Sequence, residues 1–202
     1  MHTLSWIGIG LVSFVGLMIL GLTLFALSAT FSLPSGPRPG LEDLTLEEAA
    51  AQLRQSGAEG WDLVERARRL VGDRMAYSRR NSFDSYRRAF RRGYGYCEQS
   101  AFALAQLLRQ LGFDARPVHS EHNRFPDRDA PTGHAWVRVL HQGETREIDP
   151  EHQDPATGEF LFEPLDPARE YTPWFRVLAR WGCGVANAYR YYRTGSDVDL
   201  GY

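Results

Sequence analysis

The sequence contains no lysine, and no charged side chain occurs before Arg38. All 23 basic residues are therefore arginine, a bias that GC-rich coding produces, and 25 Asp and Glu residues bring the net charge to −2. A chain so close to neutral lacks the basic excess of proteins that bind nucleic acids, so we expect no nucleic-acid partner. The length of 202 residues and the hydrophobic share of 43% exclude a disordered chain and a membrane protein of many spans.

Cysteine is also scarce, because only Cys97 and Cys183 occur. Two cysteines cannot form a disulfide framework or a four-thiolate zinc site, so a functional cysteine in this chain acts alone. The histidines do not supply a metal site either, because His119-Ser-Glu-His122 is not the His-Glu-x-x-His helix motif of zinc enzymes. We expect no metal and no cofactor.

The uncharged N-terminus is a candidate membrane anchor. Leu4 to Leu33 is a run of about 30 residues interrupted only by Ser, Thr and Gly, whereas ~20 residues cross a bilayer. The alternative is a cleaved signal peptide, since Ala26-Leu-Ser28 loosely matches a small-x-small cleavage site. The missing basic n-region and the long apolar run favour a retained, single-pass anchor. The membrane side of the domain stays open, because Arg38 is the only basic side chain near the segment and acidic residues have little effect on orientation.

Hydrophobic periodicity predicts several helices after the anchor. Thr45-x-x-Glu48 is a capping box before a short amphipathic helix, and a second helix begins near Gly60. From Cys97 to Leu111 the apolar spacing predicts a central buried helix. We also expect a strand over Ala115–Ser120, a loop over His119–Thr132, and a final helical stretch broken at Gly182-Cys-Gly184.

The segment Arg66–Arg92 carries ten arginines against only Asp73 and Asp84. Such a patch is suited to contact with anionic lipid headgroups or a partner. The alternative is a solvated helix face whose arginines pair with the acidic segment Glu144–Tyr171, which the near neutrality of the chain favours.

Cys97 stands where the central helix begins. At a helix N-terminus the dipole and the unpaired N–H groups favour a thiolate and can also hold a substrate oxyanion. A buried structural cysteine is the alternative that this position alone leaves open.

A predicted hairpin orients a histidine and a carboxylate beside each other. Gln142-Gly143 suits a type I′ turn, which pairs Val137 with Ile148. Because side chains alternate along a strand, His134 then shares a face of the sheet with Asp149, one diagonal step away. If the hairpin packs over the start of the central helix, these residues and Cys97 form a Cys-His-Asp triad.

Three motifs resemble those of the transglutaminase-like superfamily: Gly95-Tyr-Cys97-Glu-Gln-Ser-Ala101, Gly133-His134-Ala-Trp-Val-Arg-Val139 and Glu147-Ile-Asp149-Pro150. The resemblance covers about Val71 to Asp154, and the apolar N-terminus is typical of a bacterial, membrane-anchored type. It implies an α+β, papain-like fold in which the cysteine helix packs on an antiparallel sheet. It also implies that Cys97 is the nucleophile, His134 the base and Asp149 the residue that orients it.

The function that the resemblance implies is acyl transfer from an amide or peptide bond of a protein or peptide substrate, through a thioester. Hydrolysis is favoured over cross-linking, because it needs only water as the acceptor. An inactive, membrane-tethered interaction module that keeps the fold is the alternative. We divide the chain into an anchor, a linker with a short helix, a catalytic domain and a C-terminal helical extension, at residues 1–33, 34–60, 61–165 and 166–202.

Overall fold

A computed structural model describes the backbone of residues 2–197 and the side chains from residue 11 onward. The helices are α1 His2–Phe31, α2 Leu46–Gln55, α3 Gly60–Arg74, α4 Tyr86–Arg92, α5 Cys97–Gln110 and α6 Pro173–Thr194. The strands are β1 Ala76–Tyr77, β2 Tyr94–Gly95, β3 Asp114–Arg124, β4 Thr132–His141, β5 Glu144–Ile148, β6 Glu163–Pro164 and β7 Arg169–Glu170.

The short helix α2 begins at the predicted capping box. The Glu48 carboxylate accepts the N–H of Thr45 at 2.8 Å, and the Thr45 hydroxyl accepts the N–H of Glu48 at 3.2 Å. These bonds satisfy two N–H groups that a helix start otherwise leaves unpaired. Gly57 then follows the helix with φ +69°, a conformation that glycine adopts without a steric penalty.

The larger sheet is antiparallel, with strand order β5-β4-β3-β6 and with β7 also paired to β3. The predicted hairpin register is confirmed, because Val137 pairs with Ile148. Gln142 and Gly143 both have positive φ values, 52° and 82°, as a type I′ turn requires. The turn therefore fixes which side chains of β4 and β5 face each other.

Helix α5 is the centre of the core. It packs against β3 and β4, while α2, α3 and α4 pack around it. Its residues Leu104, Leu107 and Leu108 are fully buried. Replacing one such leucine by alanine costs about 2–5 kcal/mol of stability, so α5 is held rigidly against the sheet. The predicted α+β architecture, with the cysteine helix on an antiparallel sheet and one apolar N-terminal helix, is confirmed.

Strand β3 is longer than the sequence predicts. The expected loop over His119–Thr132 was wrong for its first residues, because β3 continues to Arg124 across a bulge. The side chain of Asn123 donates to the carbonyls of Ser120 and Thr132 at 3.1 and 3.0 Å, which bridges the bulge. Polar residues of this kind predict a loop from the sequence, but here the Asn123 side chain donates hydrogen bonds to backbone carbonyls within the sheet.

Helix α6 is continuous, so the predicted break at Gly182-Cys-Gly184 was wrong. Gly184 instead allows a close contact: a Cβ at this position would lie 2.4 Å from the ring of Phe83. Gly182 has no atom within 4 Å of such a Cβ. The glycine pair therefore contains one packing residue and one unconstrained residue, and neither ends the helix.

Helices α1 and α6 pack against each other. The indole Nε1 of Trp181 donates to the Thr23 hydroxyl at 2.9 Å, and the rings of Phe25 and Tyr192 lie 5.2 Å apart. A small cluster of buried alanines, including Ala26, fills this contact. The end of the apolar helix is thus part of the folded domain, whereas residues 11–21 are exposed.

The arginines of Arg66–Arg92 do not form one exposed patch. Arg92 is buried and lies 2.6 Å from the Asp84 carboxylate. Other arginines of the segment form ion pairs with Asp43, Glu47, Asp62, Glu65 and Asp197. For these residues the expected pairing with Glu144–Tyr171 was wrong, because the nearest carboxylates lie on the helices and segments that pack beside them.

Candidate active site

Cys97 is the first residue of α5. The side chain of Gln99 fixes the turn before it, because Gln99 accepts the N–H of Tyr96 at 3.2 Å and donates to the Asp84 carbonyl at 2.7 Å. The N–H of a first helical residue has no partner within the helix, so that of Cys97 is available to an oxyanion. The helix start thus presents a thiol and a donor together.

His134 and Asp149 are in direct contact. The Nε2 atom of His134 forms a hydrogen bond with the Oδ2 atom of Asp149, and both side chains are buried. His134 lies on β4, and Asp149 directly follows β5. Because Nε2 is occupied, Nδ1 is the ring nitrogen left for another partner, and the Cys97 thiol lies near enough to help raise the pKa of this imidazole.

The loop after Asp149 holds its carboxylate from the other side. The Oδ1 atom accepts the N–H of Glu151 at 2.7 Å and that of His152 at 2.9 Å, and the Asp149 N–H donates to the Gln153 side chain at 3.0 Å. Each carboxylate oxygen therefore has its own donors, so Asp149 cannot rotate without losing hydrogen bonds in a buried place.

Close packing with α3 adds a second constraint on this loop. A Cβ at Gly72 would lie 2.2 Å from the carbonyl oxygen of Pro150, the residue after Asp149. Only glycine leaves room for this approach. Helix α3 therefore restricts the position of the backbone next to Asp149.

The charges of His134 and Asp149 stabilise each other. Burial alone lowers the pKa of His134, but the charge and hydrogen bond of Asp149, with a contribution from Cys97, raise that pKa above its ordinary value. Burial alone raises the pKa of Asp149, but His134 and the two backbone N–H groups bring that pKa below its ordinary value. The geometry thus favours an imidazolium beside a carboxylate at neutral pH.

An aromatic wall surrounds the imidazole. The rings of Phe125 and Phe162 meet it edge-on, with centroids at 5.3 and 4.8 Å, and Trp136 lies on the same side of the sheet at 6.1 Å. These side chains belong to a buried cluster, so the ring has one orientation. They also remove water from the ion pair, which strengthens it.

A cavity of about 280 Å³ opens beside the thiol and is lined by both Cys97 and His134. One wall is α6, which contributes Phe175, Ala179 and Cys183. The opposite walls come from the β3–β4 end of the sheet and from the loop after Asp149. The site is therefore a cleft with a helical cover, and not an open surface.

Two further titratable residues lie in the cavity wall, Glu151 and His152. Burial and the charge of Asp149 raise the pKa of Glu151 to about 7. Burial and the charge of His134 lower the pKa of His152 to about 4, so this ring is neutral at physiological pH. The His152 ring lies 5.3 Å from that of His134, and its neutrality avoids a second positive charge there.

Glu151, His152 and the α6 residues of the cavity were not predicted from the sequence. The amphipathic pattern of Trp174–Arg193 was a usable signal for α6, since Phe175, Ala179 and Cys183 recur every four residues on one face. Tyr77, Asn81 and Tyr94 precede Cys97 in the chain and carry side-chain groups that could donate to an oxyanion. Asn81 is engaged elsewhere, because its amide donates to the Tyr94 carbonyl at 2.5 Å, whereas Tyr77 lines the cavity.

Among the residues that the structure describes, no group of three or more His, Cys, Asp or Glu side chains is arranged to hold a metal ion. The chemistry available at this cleft is that of a thiol at a helix start, next to an imidazole that is paired with a carboxylate.

A comparison with protein-family models gives one match, described as the transglutaminase-like superfamily, over residues 47–150. The match covers just over half of the chain and includes Cys97, His134 and Asp149. The chain belongs to the transglutaminase-like superfamily. Comparisons with curated proteins and with solved structures gave no match. The matched region begins within α2. It therefore starts earlier in the chain than Val71, where the resemblance of the motifs begins.

Proposed function

We propose that this transglutaminase-like protein is a cysteine acyl-transfer enzyme that acts on amide or peptide bonds. In this proposal Cys97 is the nucleophile, His134 the general base and acid, and Asp149 the residue that orients His134. The observation that carries the proposal is the buried contact between Nε2 of His134 and Asp149, at the edge of a cavity that Cys97 and His134 line together. No metal or other cofactor is needed for this chemistry.

The proposed reaction has two halves. In the reactive form the proton of Cys97 is already held at Nδ1 of His134, and the thiolate sulfur attacks the carbonyl carbon of the substrate. The Cys97 N–H stabilises the oxyanion of the tetrahedral intermediate. Nδ1–H then protonates the amine as the C–N bond breaks, which leaves a thioester. In the second half, water gives its proton to Nδ1 and attacks the thioester, which releases a carboxylic acid and restores the thiol.

We propose hydrolysis as the main outcome, and cross-linking to a primary amine as the secondary one. Both follow from the same thioester, and water is always present as an acceptor. The chain has no lysine of its own that a cross-linking reaction could modify. The proposed substrates are proteins or peptides, because their amide carbonyls can acylate the thiol with release of an amine.

The test compares full-length wild type with Cys97→Ala and Cys183→Ala in a peptide-library assay that contains a labelled primary amine. Both variants lose one thiol that lines the same cavity. We expect wild type and Cys183→Ala to cleave peptides and Cys97→Ala to lose this activity. Peptides that carry the amine would instead identify a transferase. Equal inactivity of all three proteins would contradict the proposal and favour an inactive, tethered module.

We further propose that the protein is held in a membrane by α1 as a single span. One helix is long and apolar enough for this, over Leu11–Phe31, with a mean hydropathy of 2.3 and only 6% of its most apolar window buried. A buried core helix would be mostly covered, and a cleaved signal would lose the contacts between α1 and α6. The proposed division stays 1–33, 34–60, 61–165 and 166–202, of which residues 198–202 lie outside the described part. The anionic-lipid contact of Arg66–Arg92 stays a prediction.

A further inference from the structure

Helix α6 has two faces with different environments. One face carries Phe175, Ala179 and Cys183 and lines the cavity. The other carries Trp174, Val177 and Leu178, which are 81%, 61% and 67% exposed. Their spacing of three and four residues places these three side chains on one stripe. A tryptophan, a valine and a leucine so exposed together are unusual on a helix that also forms the wall of a buried site.

The exposed stripe contains no charge, because the arginines of the same turns reach toward the protein. The guanidinium of Arg176 lies 3.8 Å from the ring centre of Phe102, and Arg180 donates to the Phe83 carbonyl at 2.7 Å. A solvated helix face would normally present such charges to water. The stripe therefore has the composition of a surface that contacts an apolar phase.

Contacts with α1 show where the stripe lies. Thr23 contacts Trp181, and the later residue Phe25 contacts the later residue Tyr192, so the two helices run in the same sense. Trp174 precedes Trp181 by seven residues, which is about 10 Å along the helix axis. The first turns of α6 therefore extend from the contact toward the exposed, apolar part of α1.

We propose that the first two turns of α6 lie at the surface of the bilayer that α1 crosses, with Trp174, Val177 and Leu178 in contact with lipid. Amphipathic helices bind this region by burying an apolar face at the boundary of headgroups and acyl chains, and tryptophan is enriched there. The inference rests on the proposed membrane span. It adds that one wall of the catalytic cavity is itself a membrane contact, so the cleft is held at the membrane surface.

The experiment uses the full chain in vesicles of phosphatidylcholine and phosphatidylglycerol, with one environment-sensitive fluorophore on a single cysteine. The background is Cys97→Ser with Cys183→Ser, checked against wild type by circular dichroism. The labelled variants are Leu178→Cys, Leu17→Cys on α1 and Thr157→Cys in an exposed loop. Spin-labelled phospholipid in the vesicles is the quencher.

The matched control is Tyr189→Cys. Tyr189 lies on the same side of α6 as Leu178 and is also exposed, but it is eleven residues further on, about 16 Å along the axis. We expect lipid quenching at Leu178 to approach that at Leu17. Quenching at Tyr189 should be clearly weaker, and that at Thr157 weaker still. Val177→Cys gives a second reading of the stripe if the Leu178 variant does not fold.

The two proposals fail differently in this experiment. Quenching at Leu17 without quenching at Leu178 and Val177 overturns the α6 contact and leaves the span intact. Absence of quenching at Leu17 overturns the span, and the α6 contact then stands only if Leu178 is still quenched. A label at Leu178 that is shielded from water but not quenched, in a protein that migrates as a dimer, would assign the stripe to a second copy and contradict the lipid contact.

Discussion

Asp149 accepts hydrogen bonds on two sides, and this is the property that an amide cannot copy. One oxygen accepts two backbone N–H groups and the other contacts Nε2 of His134. An asparagine has a single oxygen, so Asp149→Asn must turn its NH₂ group either toward the loop donors or toward the imidazole N–H. Either choice leaves a buried donor facing a donor.

We therefore expect Asp149→Asn to lower kcat by about 10²- to 10⁴-fold. Without the carboxylate, the pKa of His134 falls toward its ordinary value, since the Asp149 charge is what raises it. The alkaline limb of the kcat/KM profile should then move to lower pH. Steady-state kinetics across pH measure both effects.

The control for this prediction is Asp154→Asn. Asp154 accepts the N–H groups of Ala156 and Thr157 at 2.7 and 3.1 Å, which is the same loop geometry, but Asp154 is partly exposed whereas Asp149 is buried against His134. Its substitution should leave kcat and the pH profile near those of wild type. Equal kinetics for Asp149→Asn and wild type would remove Asp149 from the proposed role.

The two thiols of the cavity should differ in reactivity. Cys183 is exposed, but local desolvation and the charge of Cys97 raise its pKa to about 11, so at pH 7 it is a neutral thiol and becomes reactive only as the pH approaches that value. Cys97 stands at the start of α5 next to His134, which is the proposed acceptor of its proton. At pH 7, iodoacetamide should modify Cys97 first, as peptide mass spectrometry of timed samples would measure. Faster labelling of Cys183 would contradict the activation of Cys97.

At the residue scale, the sequence predicts a site residue best when a local rule connects it to its partner. Side-chain alternation and the turn type were sufficient to predict that His134 and Asp149 share a face of the sheet. No such rule connects Glu151 or Phe175 to Cys97, because the loop and the helix that carry them reach the cavity only through tertiary packing.

At the scale of elements, α6 shows that two glycines of one helix can have different structural roles. Gly184 is required by the ring of Phe83, whereas a Cβ at Gly182 would have no atom within 4 Å. Gly184→Ala should destabilise the protein by about 1–3 kcal/mol through overpacking. Gly182→Ala should instead stabilise it by about 0.5–1 kcal/mol, because alanine loses less backbone entropy in a helix.

Thermal unfolding of both variants measures this difference, and each variant serves as the other's control. A fall in the unfolding midpoint for Gly182→Ala as well would indicate that the helix really is broken between the two glycines. The sequence could not distinguish the two glycines, because both are direct neighbours of Cys183 in the chain. They differ only in the tertiary contact of Gly184 with Phe83.

The ends of helices and strands also differ in whether neighbouring residues or tertiary contacts determine them. The capping box of α2 and the turn between β4 and β5 lie where the sequence predicts them, because their hydrogen bonds form between neighbours. The continuation of β3 past Ser120 was not predictable from its polar residues, because it depends on pairing with β6 and on a bulge bridged by Asn123.

At the scale of the whole molecule, the contact between α1 and α6 bears on whether the N-terminus is retained. Cleavage after Ser28 would remove Thr23, Phe25 and Ala26, which contact or pack beside Trp181, Tyr192 and Ala188. The protein isolated from membranes should therefore have an intact mass that includes the α1 residues. A mature N-terminus at residue 29 in the isolated protein would contradict a retained anchor.

The α1–α6 contact joins residues that are 158 positions apart in the chain. Because α6 leaves the ribosome after α5, β4 and the Asp149 loop, those parts can assemble while one wall of the cleft is still missing. During that interval the thiol of Cys97 has its imidazole but no cover. The order of synthesis thus allows the reactive groups to come together before α6 docks on α1 and closes the cleft.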